Sequence, residues 1–147
     1  MLKRISEAYK QAMLNKDDNR KRVINTLRAE IKNKEIELRT SNKELLDSDI
    51  LSLIQKLIKQ NRDAIKMFEE GERQDLVEKN QKEISILEEF LPKQLTNEEI
   101  DAIIKQEIEL NGYDSMKDMG KIMVTFKNNY SGQCDMGYVS KKIKEML

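Results

Sequence analysis

The sequence predicts an all-α protein made of an N-terminal domain of about four long helices and a small C-terminal domain of three. Three observations predict it. Apolar residues recur at steps of three, four and seven rather than two. The 147 residues contain one proline and five glycines, too little turn chemistry for many short elements. That single proline, Pro92, sits inside a tight stop-and-start signal, "EEFLPKQLTNEEI", between a long-helix region and a short-helix region.

The first helix is predicted from Leu2, Ile5, Tyr9, Ala12 and Met13. "NKDDNRKR" interrupts it, and Asp17 or Asp18 can cap the second helix, placing a carboxylate at its positive end. That helix should run to about Leu38, with Ile24, Ile31 and Leu38 seven apart, the stripe of a helix lying along another. Asp47 or Ser48 opens the third, bearing Ile50, Leu51, Ile54, Leu57, Ile58, Ile65 and Phe68, with Gly71 as the left-handed stop. Asp75 and Glu78 have capping-box spacing for a fourth helix with Leu76, Val77, Ile84, Leu87 and Leu91. Pro92 cannot continue it.

Thr96 and Glu99 form a second capping box and launch a fifth helix bearing Ile100, Ile103, Ile104 and Ile108, which Asn111 and Gly112 terminate. Ser115 with Asp118 should start a sixth, carrying Met119, Ile122, Met123 and Phe126. Asp135 can cap a seventh, with Val139, Ile143, Met146 and Leu147. The expected domains are residues 1–92 and 93–147. Pro92, Thr96 and Glu99 mark the joint, with "KQL" a short, stiff strap between them.

Composition limits the chemistry. There is no histidine, which removes the commonest general base, the Ser–His and Cys–His dyads and imidazole ligation of metals. One cysteine cannot make an internal disulfide, and no phosphate-cradling glycine loop is present. Adjacent carboxylates such as Glu69 and Glu70 diverge by about 100° on a helix. The residues point away from self-contained catalysis, and no cofactor or metal is expected. No apolar run is long enough to span a bilayer. The start lacks an apolar signal core but is amphipathic and basic, as transit peptides are. Its stripe runs straight into the next helix, which favours a mature helix, and with the lone Cys134 this leads to an expected cytoplasmic location.

Net charge is zero, from 27 basic and 27 acidic residues, but it is segregated. Residues 1–46 carry +5, 47–92 carry −4, 93–116 carry −4 and 117–147 carry +3. Solvated helix faces are the plain reading of such blocks. The alternative is a basic face for an anionic partner. Lys117, Lys121, Lys127, Lys141, Lys142 and Lys144 form the first candidate nucleic-acid surface, in which Lys117 and Lys121 share a face, as do Lys141 and Lys144. Arg20, Lys21, Arg22, Arg28 and Lys32, with Lys34, form a second. No arginine lies in 93–147 and aromatics are few, so base readout there is weak and phosphate contact is the natural mode.

The segment "FEEGERQDLVEKNQKEISILEEFLPKQLTNEEI" resembles the central signature of the GatB/YqeY family. "LRAEIKNKEIELR", "KDMGKIM", "GQCD" and "VSKKIKEML" extend the resemblance over essentially the whole chain. It is to the free-standing YqeY form. Two positions depart from the pattern: Val124, usually Gly or Ala, and Met136, usually Gly. The resemblance implies an all-helical protein with a larger N-terminal and a small C-terminal domain. In GatB the related region is the tail of the tRNA-dependent, glutamine-using amidotransferase, a carbon–nitrogen ligase, and contacts tRNA without doing chemistry. The resemblance therefore implies a non-catalytic tRNA-binding protein. The alternative is a protein–protein adaptor docking on an amidotransferase or an aminoacyl-tRNA synthetase, for which the acidic helices of residues 47–91 offer a face.

Overall fold

A computed structural model describes residues 1–147 as seven α-helices without strands. They are α1 (Leu2–Leu14), α2 (Asp18–Thr40), α3 (Asp47–Glu70), α4 (Gln74–Glu88), α5 (Asn97–Asn111), α6 (Met119–Asn129) and α7 (Met136–Met146), with a 3₁₀ turn, Met116–Asp118, leading into α6. The chain divides into two compact units, Met1–Leu91 and Pro92–Leu147. Each has its own apolar cluster.

In the first unit the core is built by Ile5 and Ala12 of α1, Val23, Ile24, Leu27 and Ile31 of α2, and Ile50, Ile54 and Ile58 of α3. Ile86 and Leu87 of α4, with Phe90 beyond it, complete the cluster. Intervals of three, four and seven keep these side chains on one stripe per helix, so a polar chain still yields a continuous apolar interior. The core is narrower than the periodicity predicts. Leu2 and Met13 share the α1 pattern yet remain 49% and 50% exposed. On α4 the expected Leu91 is only partly buried, while Ile86 and Phe90, which periodicity did not pick out, are buried. "ISILEEFL" offers apolar residues on too wide an arc for spacing alone to say which face turns inward.

Helix ends show which cap signals act. The Asp17 carboxylate accepts the Arg20 backbone N–H at 3.1 Å, as expected for a cap. The third helix starts at Asp47, with the Leu46 N–H donating to the Asp49 carboxylate at 2.9 Å. The capping box expected at Asp75 and Glu78 is absent. The helix begins at Gln74, two residues before a cap at Asp75 would place it, so Asp75 lies inside the first turn and pairs with Arg73 at 3.3 Å.

Gly71 is likewise not the left-handed residue, having φ −85°. Glu72 takes φ +56°, and Lys16 and Asn42 do the same after α1 and α2. At all three exits the following amide reaches back to a carbonyl of the last turn: Asp17 to Ala12, Lys43 to Leu38 and Arg73 to Phe68, at 2.8–2.9 Å. α4 ends at Glu88, ahead of Leu91. Phe90 and Leu91 form turn-type bonds to Leu87 and Glu88, because the residue before a proline is pushed out of helical conformation.

In the second unit Ile100, Ile104, Ile122, Phe126, Cys134, Val139 and Ile143 form the core. The Thr96 hydroxyl accepts the Glu99 N–H at 3.1 Å, so the cap acts as read, while the Glu99 carboxylate meets that hydroxyl at 3.2 Å rather than the Thr96 backbone N–H that a full capping box would use. Gly112, at φ +65°, closes α5 in the left-handed conformation that glycine adopts without a Cβ clash. The Asp135 carboxylate accepts the Gly137 N–H at 2.9 Å and starts α7. Ser115 makes no side-chain cap; its carbonyl accepts the Asp118 N–H in the 3₁₀ turn. The strap after Pro92 is tied into this unit. The Leu95 N–H donates to the Gln133 carbonyl at 2.7 Å, and the Gln94 amide donates to the Gly132 and Pro92 carbonyls at 2.6 and 3.0 Å. Within "KQL", Leu95 is thus held by backbone pairing, and Gln94 by its side-chain amide, to the turn between α6 and α7.

Candidate nucleic-acid interface

The two basic surfaces read from the sequence have different local chemistry. In the first unit, Arg20 grips Glu89 with both guanidinium nitrogens, at 3.1 and 2.6 Å. Its pKa is raised, first by that hydrogen bond. Arg22 pairs with Glu83 at 2.8 Å, and Arg28 stacks over the Tyr9 ring at 4.4 Å. Arg4 donates to the Glu89 carbonyl and lies over Phe90, and Arg62 meets Glu88 at 3.6 Å. The Arg28 stack joins α2 to α1, and the other guanidinium contacts hold α4 and the turn after it onto α1, α2 and α3. Lys32 is exposed, while Lys21 and Lys34 are partly covered and Lys34 pairs with Glu37 at 3.5 Å. An open cleft along α2 and α4 mixes Arg22, Lys79 and Lys82 with Glu78 and Glu83, so it presents no single sign of charge.

In the second unit Lys117, Lys121 and Lys127 are exposed along the 3₁₀ turn and α6, and Lys141 and Lys144 are exposed on α7. Lys121 lies 3.4 Å from Asp118 and 5.6 Å from the Tyr113 ring centroid. Lys117, Lys127, Lys141 and Lys144 enter no ion pair within the chain. Lys142 differs. It is partly covered and reaches Asp101 on α5 at 3.8 Å and Glu145 at 3.6 Å. Tyr138 donates to the same Asp101 carboxylate at 2.9 Å, which ties α7 to α5. Burial, and then that hydrogen bond, push the Tyr138 phenol above its ordinary range. Sequence spacing grouped Lys142 with its neighbours; of the two acids it meets, Glu145 lies within helical reach, but Asp101 comes from a helix some 40 residues earlier, which no local pattern reports.

Cys134 is buried, 2% exposed, with its Sγ 3.9 Å from the Tyr130 carbonyl. Burial pushes its thiol up, away from the reactive thiolate. No group of three or more His, Cys, Asp or Glu side chains converges as metal ligands would, and no helix is long and apolar enough to cross a membrane.

The model of the Yqey-like protein family matches residues 2–147. The chain belongs to the YqeY family. Among its relatives is altered inheritance of mitochondria protein 41, mitochondrial, of Pyrenophora tritici-repentis, 32% identical over all of this chain and 81% of the relative. The Kluyveromyces lactis protein of the same name is 40% identical over 69% of this chain, and that of Lachancea thermotolerans 41% identical over 59%. This YqeY chain spans 55% and 46% of the lengths of those two. The expected cytoplasmic location is overturned by these relatives, whose names call them mitochondrial. The inference failed at a physical step. A lone buried thiol argues against an oxidising compartment, and the lack of a spanning run against a bilayer, but neither separates one reducing aqueous compartment from another.

Proposed function

We propose that this YqeY-family chain is a non-catalytic, helical tRNA-binding protein that uses the second unit as its contact surface. The observation that carries the reading is the contrast in charge compensation. Arg20 and Arg22 are engaged with acids of their own unit, whereas Lys117, Lys127, Lys141 and Lys144 keep their ammonium groups in solvent. Ammonium groups without internal partners release counterions when they meet phosphates, which is the main source of sequence-independent affinity for nucleic acid. The resemblance to the GatB tail supplies the choice of tRNA. The same reading makes Met1–Leu91 and Pro92–Leu147 independent domains of four and three helices, the first giving rigidity and the second contact.

Titration of unfractionated tRNA at increasing salt tests it. The wild-type chain should lose affinity steeply with salt. A Lys121→Glu/Lys141→Glu/Lys144→Glu variant should bind more weakly with a shallower salt slope. An unchanged slope would remove the assignment. Retention of a protein partner after nuclease treatment, with no tRNA bound, would favour the adaptor reading instead.

A further inference from the structure

One face of the first unit has no use within its own fold. α1 turns Ile5 and Ala12 into the core. On its outer side Leu2, Met13, Ser6, Lys10, Lys3 and Leu14 succeed one another around an arc of about 120°, at 100° per residue. All six are exposed, and Leu14, at 75%, is the most exposed large apolar side chain of the molecule. Glu7, the only acid of α1, lies beyond the Leu14 edge of the arc.

The second helix widens this surface. The Arg28 guanidinium lies over the ring of Tyr9, which stands next to Leu2 and Met13 around α1. The Arg28 side of α2 therefore borders the Leu2 and Met13 side of α1. On α2, Lys21, Arg28 and Lys32 fall within about 40° of one another. Glu35, on the neighbouring row, is taken by Arg39 at 3.2 Å. No carboxylate of the chain pairs with Lys3, Lys10, Lys21 or Lys32. A single exposed apolar residue on a surface means little. Here three of them stand among unpaired cations on two helices joined by a short turn, and that combination selects a partner.

We propose that the α1–α2 face of the first unit lies on the surface of an anionic phospholipid bilayer. The aliphatic stems of Lys3 and Lys10 run along the face and carry their ammonium groups to lipid phosphates, while Leu2, Met13 and Leu14 enter the acyl boundary beneath. Lys21, Arg28 and Lys32 add attraction to the negative leaflet from the neighbouring helix. An RNA backbone would answer the lysines but gives the leucines and the methionine nothing to bury against. The charge fits any polyanion; the apolar side chains fit one with an apolar layer under its charge. The contact is peripheral, since no helix is long and apolar enough to cross a membrane. It is independent of the tRNA reading, which concerns the second unit.

The test uses the full chain and sedimentation with vesicles of phosphatidylcholine and phosphatidylglycerol mixed about two to one. Wild type should bind these and leave vesicles of phosphatidylcholine alone. Met13→Gln/Leu14→Gln should melt as wild type does, because both side chains are exposed, yet bind about tenfold more weakly with the same salt dependence. Lys3→Gln/Lys10→Gln should also bind more weakly, with a shallower salt dependence. The chain has no tryptophan, so Leu14→Trp supplies a single reporter. Its emission should shift to the blue on the mixed vesicles and be quenched by brominated acyl chains. Failure of wild type to sediment with the mixed vesicles would overturn the proposal. So would equal binding by Met13→Gln/Leu14→Gln with an unquenched indole, which would show attraction by charge alone. Loss of tRNA binding in Lys3→Gln/Lys10→Gln, with no vesicle binding by wild type, would assign the face to RNA instead.

Discussion

The two units spend their positive charge differently. In Met1–Leu91 the arginines act on their own fold: Arg20 on Glu89, Arg22 on Glu83, Arg28 on Tyr9 and Arg4 beside Phe90. In Pro92–Leu147 there is no arginine, and of six lysines after residue 116 only Lys121 and Lys142 meet carboxylates. The planar guanidinium holds a carboxylate with two bonds and loses little freedom per bond. The ammonium is a strongly hydrated point charge on a flexible stem. A surface built from the first kind stiffens the molecule, and one built from the second stays available. Charge counted along the sequence does not separate the two.

The sharpest way to break this comparison is to remove the support under the lysines. Phe126 is fully buried at the centre of the small second core and lies 5.6 Å from the Tyr130 ring. Phe126→Ala should cost about 3–5 kcal/mol, a large fraction of what so few residues can supply. Urea denaturation followed by circular dichroism should then show the helices of residues 92–147 melting first, in a separate early transition. A single unchanged transition would mean that the units do not fold independently.

A smaller effect distinguishes arginine from lysine. Arg20→Ala should lower the stability of the first unit by about 1 kcal/mol, because a bidentate but partly solvated pair is lost. Lys141→Ala and Lys144→Ala should each stay within about 0.5 kcal/mol of wild type. Equal losses in the same urea titrations would erase the distinction.

The smallest effect concerns the bond between α7 and α5. Tyr138→Phe removes the donor to Asp101 and should lower stability slightly near neutral pH. The fold raises the phenol pKa, so the stabilisation is fully present below the ordinary tyrosine value near 10 and is lost as pH rises through the higher native value. The gap between wild type and Tyr138→Phe should therefore narrow in alkaline thermal melts. A gap that widens with pH would reverse the sign of the argument.

Much of the fold was legible because its determinants are local. The intervals of Ile24 and Ile31, the Thr96 and Glu99 cap, Gly112 and the Asp135 cap each act over a few residues. The failures were local as well, at places where neighbouring residues compete for the same role. Gly71 looks like the left-handed residue, yet Glu72 takes that conformation, because the reach of the Arg73 amide to Phe68 sets where the chain turns. Asp75 looks like a cap and becomes a partner of Arg73. Of the candidate interface, spacing paired Lys117 with Lys121 and Lys141 with Lys144, since helix periodicity alone fixes a shared face.

The sequence by itself therefore determined that the chain is helical, where most helices begin and end, and, outside the end of α4, which stripes turn inward, since those follow from short-range sterics and apolar spacing. Only the tertiary structure decided which charges are taken: Glu89 reaches Arg20 across 69 positions and Asp101 reaches Lys142 across 41. Pairing depends on which helices become neighbours, and the side chains that report it carry no periodicity of their own.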